Sequence, residues 1–110
     1  METKDTPDIV MREKVKEEFR QWYIKARYTY EIGLNSFYEL PFDFQSGIYT
    51  AYLRDKGIDA YAWPQYGEYK AIIKRLGIIK FKVSYDDHNA ALISAINEGF
   101  RIVEEQLRDK

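Results

Sequence analysis

Between Gly77 and Asp86, the residues Ile79, Phe81, Val83 and Tyr85 alternate with Lys80, Lys82 and Ser84. A period of two marks a strand with one face buried and the other in water, a pattern that a helix does not fit. Residues Ile78 to Tyr85 therefore demand a sheet, and a sheet needs neighbours for its backbone groups. Two further segments offer themselves, Ile58 to Trp63 and Tyr69 to Lys74. Both are short and rich in aromatic and β-branched residues, and Pro64, Gly67 and Gly77 punctuate them. Three strands is the simplest reading, although Lys70 to Leu76 reads equally as a short helix.

What flanks these strands is helical. Thr6-Pro7-Asp8 has the composition of a helix start, with a hydroxyl cap, a proline in the first turn and a carboxylate at the positive end of the dipole. Met11, Val15, Phe19, Trp22, Ala26 and Tyr30 then recur at helical spacing, which predicts a long first helix closed by Gly33. Leu34 to Leu40 reads as a connector. Pro41 opens a second helix running to Lys56, with Gly57 at its left-handed end and Phe44, Ile48, Tyr49, Tyr52 and Leu53 turned inward. Asp86-Asp87 can cap a last helix whose stripe is Leu92, Ile96, Phe100, Val103 and Leu107. The expected fold is α+β: a long N-terminal helix, then α-β-β-β-α, with a three-stranded antiparallel sheet covered by helices on one face. Residues 1–110 are expected to form one domain, with residues 1–6 as a disordered tail.

Composition narrows the chemistry. The chain has no cysteine and one histidine, His88, against 10 Tyr, 6 Phe and 2 Trp. No thiol nucleophile, thiolate zinc site or disulfide is open to it. His88 beside Asp86 and Asp87 finds no other histidine or cysteine to complete a metal site, and reads as an exposed residue in the first turn of a capped helix. Adjacent pairs such as Glu17-Glu18 and Glu104-Glu105 point in different directions on a helix, and no glycine cluster forms a phosphate loop. The expectation is a protein that is not an enzyme and carries neither cofactor nor metal. Its apolar runs are too short to cross a membrane, and a polar start with no leader character points to the cytoplasm.

Aromatic surplus points instead to recognition. If Ile58, Ala60, Ala62, Tyr69, Ala71, Ile73, Ile79, Phe81 and Val83 meet the helices, the opposite sheet face presents Tyr61, Trp63, Lys70, Ile72, Lys74, Lys80 and Lys82. Charge is unevenly spread: residues 57–85 hold five positive and two negative groups, and residues 86–110 hold three and six. Bases could stack on Tyr61 and Trp63 while lysines follow a backbone. The opposite strand phase would send both aromatics into the core. A second candidate surface is Phe19, Trp22 and Tyr23, clustered on a helix too long for a small core to cover, which reads as an interface between copies of the chain.

The α-β-β-β-α order from Pro41 onward resembles the layout of a double-stranded-RNA-binding domain. That family carries a basic cluster at the start of its last helix, where this chain reads Asp86-Asp87-His88-Asn89, so the resemblance does not extend to duplex binding. The segment Phe37-Tyr38-Glu39-Leu40-Pro41-Phe42-Asp43-Phe44-Gln45-Ser46-Gly47-Ile48-Tyr49, with a short sheet and a helix like Ala90 to Glu105, is similar to small proteins of phages and mobile elements in gut bacteria. This resemblance implies an accessory protein that binds a host or viral macromolecule, in the class that includes inhibitors of bacterial defence. The expected function is thus that of a small non-enzymatic binding or adaptor protein with a protein partner or its own copy. The alternative is a nucleic-acid-binding module that uses the basic, aromatic sheet face.

Overall fold

The computed structural model describes residues 8–26 and 33–109 of the chain. Strands β1 (Asp59–Gln65), β2 (Glu68–Arg75) and β3 (Ile78–Tyr85) form an antiparallel meander in the order β1-β2-β3. Gln65 faces Glu68 and Arg75 faces Ile78, so Tyr66-Gly67 and Leu76-Gly77 are two-residue loops. All four loop residues have positive φ, between 51° and 81°. That is the geometry of the type I′ turn, whose twist matches that of the flanking strands. Segment Lys70 to Leu76, which sequence left between strand and helix, is strand up to Arg75 and turn at Leu76.

Among the described residues the helices are α1 (Glu13–Lys25), α2 (Leu34–Phe37), α3 (Phe42–Asp55) and α4 (His88–Arg108). The α+β class and the helices on one sheet face are as expected. Helix α4 lies across all three strands, α3 packs on β1 and on α4, and α1 packs on α4. Asp87 caps α4, its carboxylate accepting from the Ala90 amide at 2.9 Å. Gly57 closes α3 with φ of 81°. Gly99 has a packing reason: a Cβ there would stand 2.6 Å from Leu53 Cδ1, so its absence lets α3 and α4 approach.

The first helix departs from expectation. It begins at Glu13, and Asp8 to Arg12 precede it without helical structure. Asn97 on α4 explains why: its side-chain amide accepts from Val10 N and donates to the Asp8 carbonyl, both at 2.8 Å, satisfying backbone groups that a helix would otherwise bond internally. The helix ends at Lys25, with Ala26 closing it, so its length is 13 residues, about 20 Å. The expected start at Thr6-Pro7, the tail 1–6 and the stripe at Tyr30 lie outside the described residues.

The core joins Val15, Phe19 and Tyr23 of α1 with Tyr49, Tyr52 and Leu53 of α3, the inner sheet residues Ala60, Ala71 and Ile73, and Ile96, Phe100 and Val103 of α4. Phe37, which sequence placed in a connector, is fully buried at the end of α2 and packs against Phe19, Tyr23 and Tyr49. Phe44, expected inward, is exposed, because α3 turns Ser46, Tyr49, Tyr52 and Leu53 to the core instead.

Candidate functional site

Strand register decides which side chains share the outer face, the one turned away from the helices. Trp63 stands opposite Lys70, which stands opposite Ser84; Tyr61 stands opposite Ile72, which stands opposite Lys82. Lys74 lies between Asp59 and Ile79. Ala60, Ala62, Ala71, Ile73 and Phe81 fall on the helix side, the phase that leaves Tyr61 and Trp63 outside, whereas Val83, expected to meet the helices with them, is exposed. Trp63 is 54% exposed, which excludes the alternative in which it belongs to the core.

These residues line a shallow groove of about 270 Å³ formed by Tyr61, Trp63, Gln65, Lys70, Ile72, Lys74, Ile79 and Lys82. Five of the six residues anticipated as a binding set are therefore together: Tyr61, Trp63, Lys70, Lys74 and Lys82. Lys80 is not among them. The ladder slips between Ile73 and Lys74, so Ile73 pairs with Phe81 while Lys74 pairs with Ile79, and Lys80 is the extra residue of a bulge. Ile79, expected to face the helices, takes the place in the groove that simple alternation gives to Lys80.

The floor of the groove is Ile72, only 5% exposed although it lies outside the main core cluster. Its flanking residues in the sheet are Tyr61 and Lys82 across the strands and Lys70 and Lys74 along its own. Lysine stems and aromatic rings can cover an aliphatic side chain while their polar ends stay in water. Lys70 donates to Ser84 Oγ at 2.5 Å and lies 3.4 Å from Glu68 Oε1. Lys74 and Lys82 make no ion pair among the described residues, and no carboxylate lines the groove.

Both sheet edges are blunted. Pro64 on β1 has no amide hydrogen to offer a further strand, and β3 carries the bulge together with Lys80 and Lys82. Neither edge is thus a ready template for a further strand.

The second anticipated surface is corrected by burial. Phe19 and Tyr23 are 0% and 1% exposed, so neither can meet another copy of the chain. The bulk that covers them comes from rings far away in sequence: Phe19 lies within 6 Å, centroid to centroid, of Phe37, Tyr49 and Tyr52. Trp22 is half-buried, stacks on Phe19 and donates its indole N–H to Asp55 Oδ2 at 2.7 Å. His88 is exposed on the first turn of α4, edge-on to Tyr69 at 5.4 Å. Among the described residues no three His, Asp or Glu side chains are placed to hold a metal ion, and no helix is long and apolar enough to cross a membrane.

Two features had no sequence signal. Tyr66 and Leu76 occupy the first loop position of the two hairpins, with φ of 51° and 54°, and are 96% and 97% exposed. A bulky side chain in the left-handed region is uncommon and strained. Such a turn favours Asn, Asp or Gly at that position.

Comparison with protein-family models, curated proteins and solved structures finds no match for this chain, so the functional reading rests on the geometry of this face.

Proposed function

We propose that the protein is a non-enzymatic binding module whose working surface is the outer sheet face and whose partner is negatively charged. The observation that carries this reading is the exposed Trp63 in a groove that also holds Lys70, Lys74 and Lys82 and no carboxylate. Lys70 is engaged by Ser84 and Glu68, but Lys74 and Lys82 make no ion pair among the described residues, and an exposed tryptophan beside such ammonium groups suits a surface that meets a partner better than one that meets only water. The blunted edges support the same reading, since they leave the face as the accessible side of the sheet. A protein partner, the first class to which the composition points, would on this reading meet the sheet face and not α1, whose Phe19 and Tyr23 are buried in the core.

The test is nuclear magnetic resonance of the isotope-labelled protein titrated with poly-L-glutamate as a polyanion probe. Amides of residues 59–65, 68–74 and 79–84 are expected to shift, those of α1 to stay in place, and the K74E/K82E double variant to lose the response. Shifts centred on α1, or no saturable shift at low salt, would count against the reading.

A further inference from the structure

We infer that the ligand of the outer face is a single-stranded nucleic acid, its unpaired bases stacked along Tyr61, Trp63 and Tyr66 and its phosphates directed to Lys70, Lys74 and Lys82. This rests on the reading of the outer face as the working surface and adds the chemical class of the partner.

The argument begins with the division of the face. Its aromatic residues all belong to β1 and the loop that follows it, whereas its lysines all belong to β2 and β3. Tyr61 and Trp63 are two residues apart on one strand, about 6.6 Å. That spacing suits successive bases of an extended strand. Beside this line Lys70 stands directly across from Trp63, and Lys82 is separated from Tyr61 by Ile72 alone. One side of the groove thus offers flat π faces and the other positive charge, as an open single strand does in reverse with its bases on one side and its phosphates on the other. An acidic protein segment would satisfy the lysines and leave a line of rings with no counterpart.

Tyr66 adds a third ring. Its side chain is almost wholly in water, so it contributes little to packing within the chain. Leu76 shares its left-handed backbone and its exposure, so what distinguishes Tyr66 is an aromatic ring at the β1 end of the face. Tyr66 sits at the tip of the β1–β2 hairpin, three residues beyond Trp63, where it can extend the stacking line outside the groove.

Duplexes are disfavoured on two grounds. Paired bases stack on one another and hide the faces that Trp63 would need. The start of α4, a natural phosphate site in other contexts, is already filled by the Asp87 carboxylate at the Ala90 amide and is flanked by Asp86.

The test is fluorescence anisotropy with labelled oligo-dT and oligo-U, each of about 12 nucleotides to span one binding surface, a duplex of equal length, and labelled poly-L-glutamate as a control polyanion. At least one oligonucleotide is expected to bind more tightly than the duplex, and comparison of the two tells DNA from RNA. Affinity should fall with salt with a log–log slope of about −2, from three lysines at about −0.7 each. W63A is expected to lose roughly tenfold in affinity and Y66N a few-fold, while K74E/K82E abolishes binding. Should W63A fail to fold by circular dichroism, quenching of Trp63 emission by the oligonucleotide in a W22F background reports stacking directly. Binding of poly-L-glutamate but of neither oligonucleotide would overturn the ligand class and leave the face standing. Binding of neither polyanion would remove both readings. Oligonucleotide binding with no quenching of Trp63, or indifferent to W63A, would overturn the stacking arrangement.

Discussion

Lys74 faces Ile79 across the β2–β3 ladder, and Lys80 has no partner there. The bulge therefore separates three lysines that look equivalent in sequence. K82E and K74E are expected to weaken polyanion binding strongly. K80E should weaken it less than either and change stability by no more than about 0.5 kcal/mol, as an exposed unpaired residue does. Salt-dependent affinities of the three single variants, with urea denaturation of each, check this.

Phe19 is surrounded by rings of α1, α2 and α3, and Phe19→Ala is expected to destabilise the protein by about 3–5 kcal/mol. Trp22→Phe retains a ring but loses the bond to Asp55, at a cost of about 1–2 kcal/mol. Denaturant titration measures both. A Phe19→Ala variant that dissociates an oligomer with no loss of stability would contradict the burial of this side chain.

Relief of strain gives a prediction of opposite sign. Asn tolerates the left-handed region that Tyr66 and Leu76 occupy, so Tyr66→Asn and Leu76→Asn are each expected to stabilise the protein by about 1 kcal/mol. Thermal melts should rise by several degrees for each. The two variants then part company: only Tyr66→Asn should cost oligonucleotide affinity.

Alkaline pH should act through two buried tyrosines. Burial pushes the Tyr49 and Tyr52 hydroxyls well above the usual tyrosine range, and Tyr52 is pushed further because its hydroxyl donates to the Glu18 carboxylate. In the unfolded chain both ionise near the ordinary value of 10.0. A folded value raised above the unfolded one means stability that is fully present below pH 10 and is lost as pH rises beyond it. Denaturation midpoints should thus fall steeply above pH 10, and less steeply in Tyr52→Phe. Ultraviolet difference absorbance of tyrosinate follows the same event.

Removal of the α4 cap by Asp87→Ala should cost about 1 kcal/mol, whereas His88→Gln should change stability by no more than about 0.5 kcal/mol. Equal losses in the two, measured by thermal denaturation, would contradict the assignment of the cap to Asp87 alone.

Local signals in the sequence were good guides where the physics is local. Alternation gave β3, punctuation by Gly67 and Gly77 gave the hairpins, and Asp87 announced α4. The same phase brought Tyr61, Trp63, Lys70, Lys74 and Lys82 to one groove. What sequence could not show depends on distant residues. Asn97 unravels the expected first turns of α1 from the far end of the chain, and Phe37, Tyr49 and Tyr52 cover the aromatic cluster of a helix that looked too long for a small core. The exchange of Lys80 for Ile79 follows from a single ladder slip, which leaves the alternation of residue types unchanged.

Because Asn97 holds Asp8 and Val10 across separations of 89 and 87 residues, the segment leading into α1 has no docking surface until α4 exists. During synthesis α1 emerges first and waits, with Phe19 and Tyr23 uncovered, for rings that arrive later. The hairpins need no such delay, since each closes over two residues at little loop-closure cost. Docking of α1 and the segment before it is thus expected to be the late step of folding, with hairpin amides protected from hydrogen exchange before those of α1.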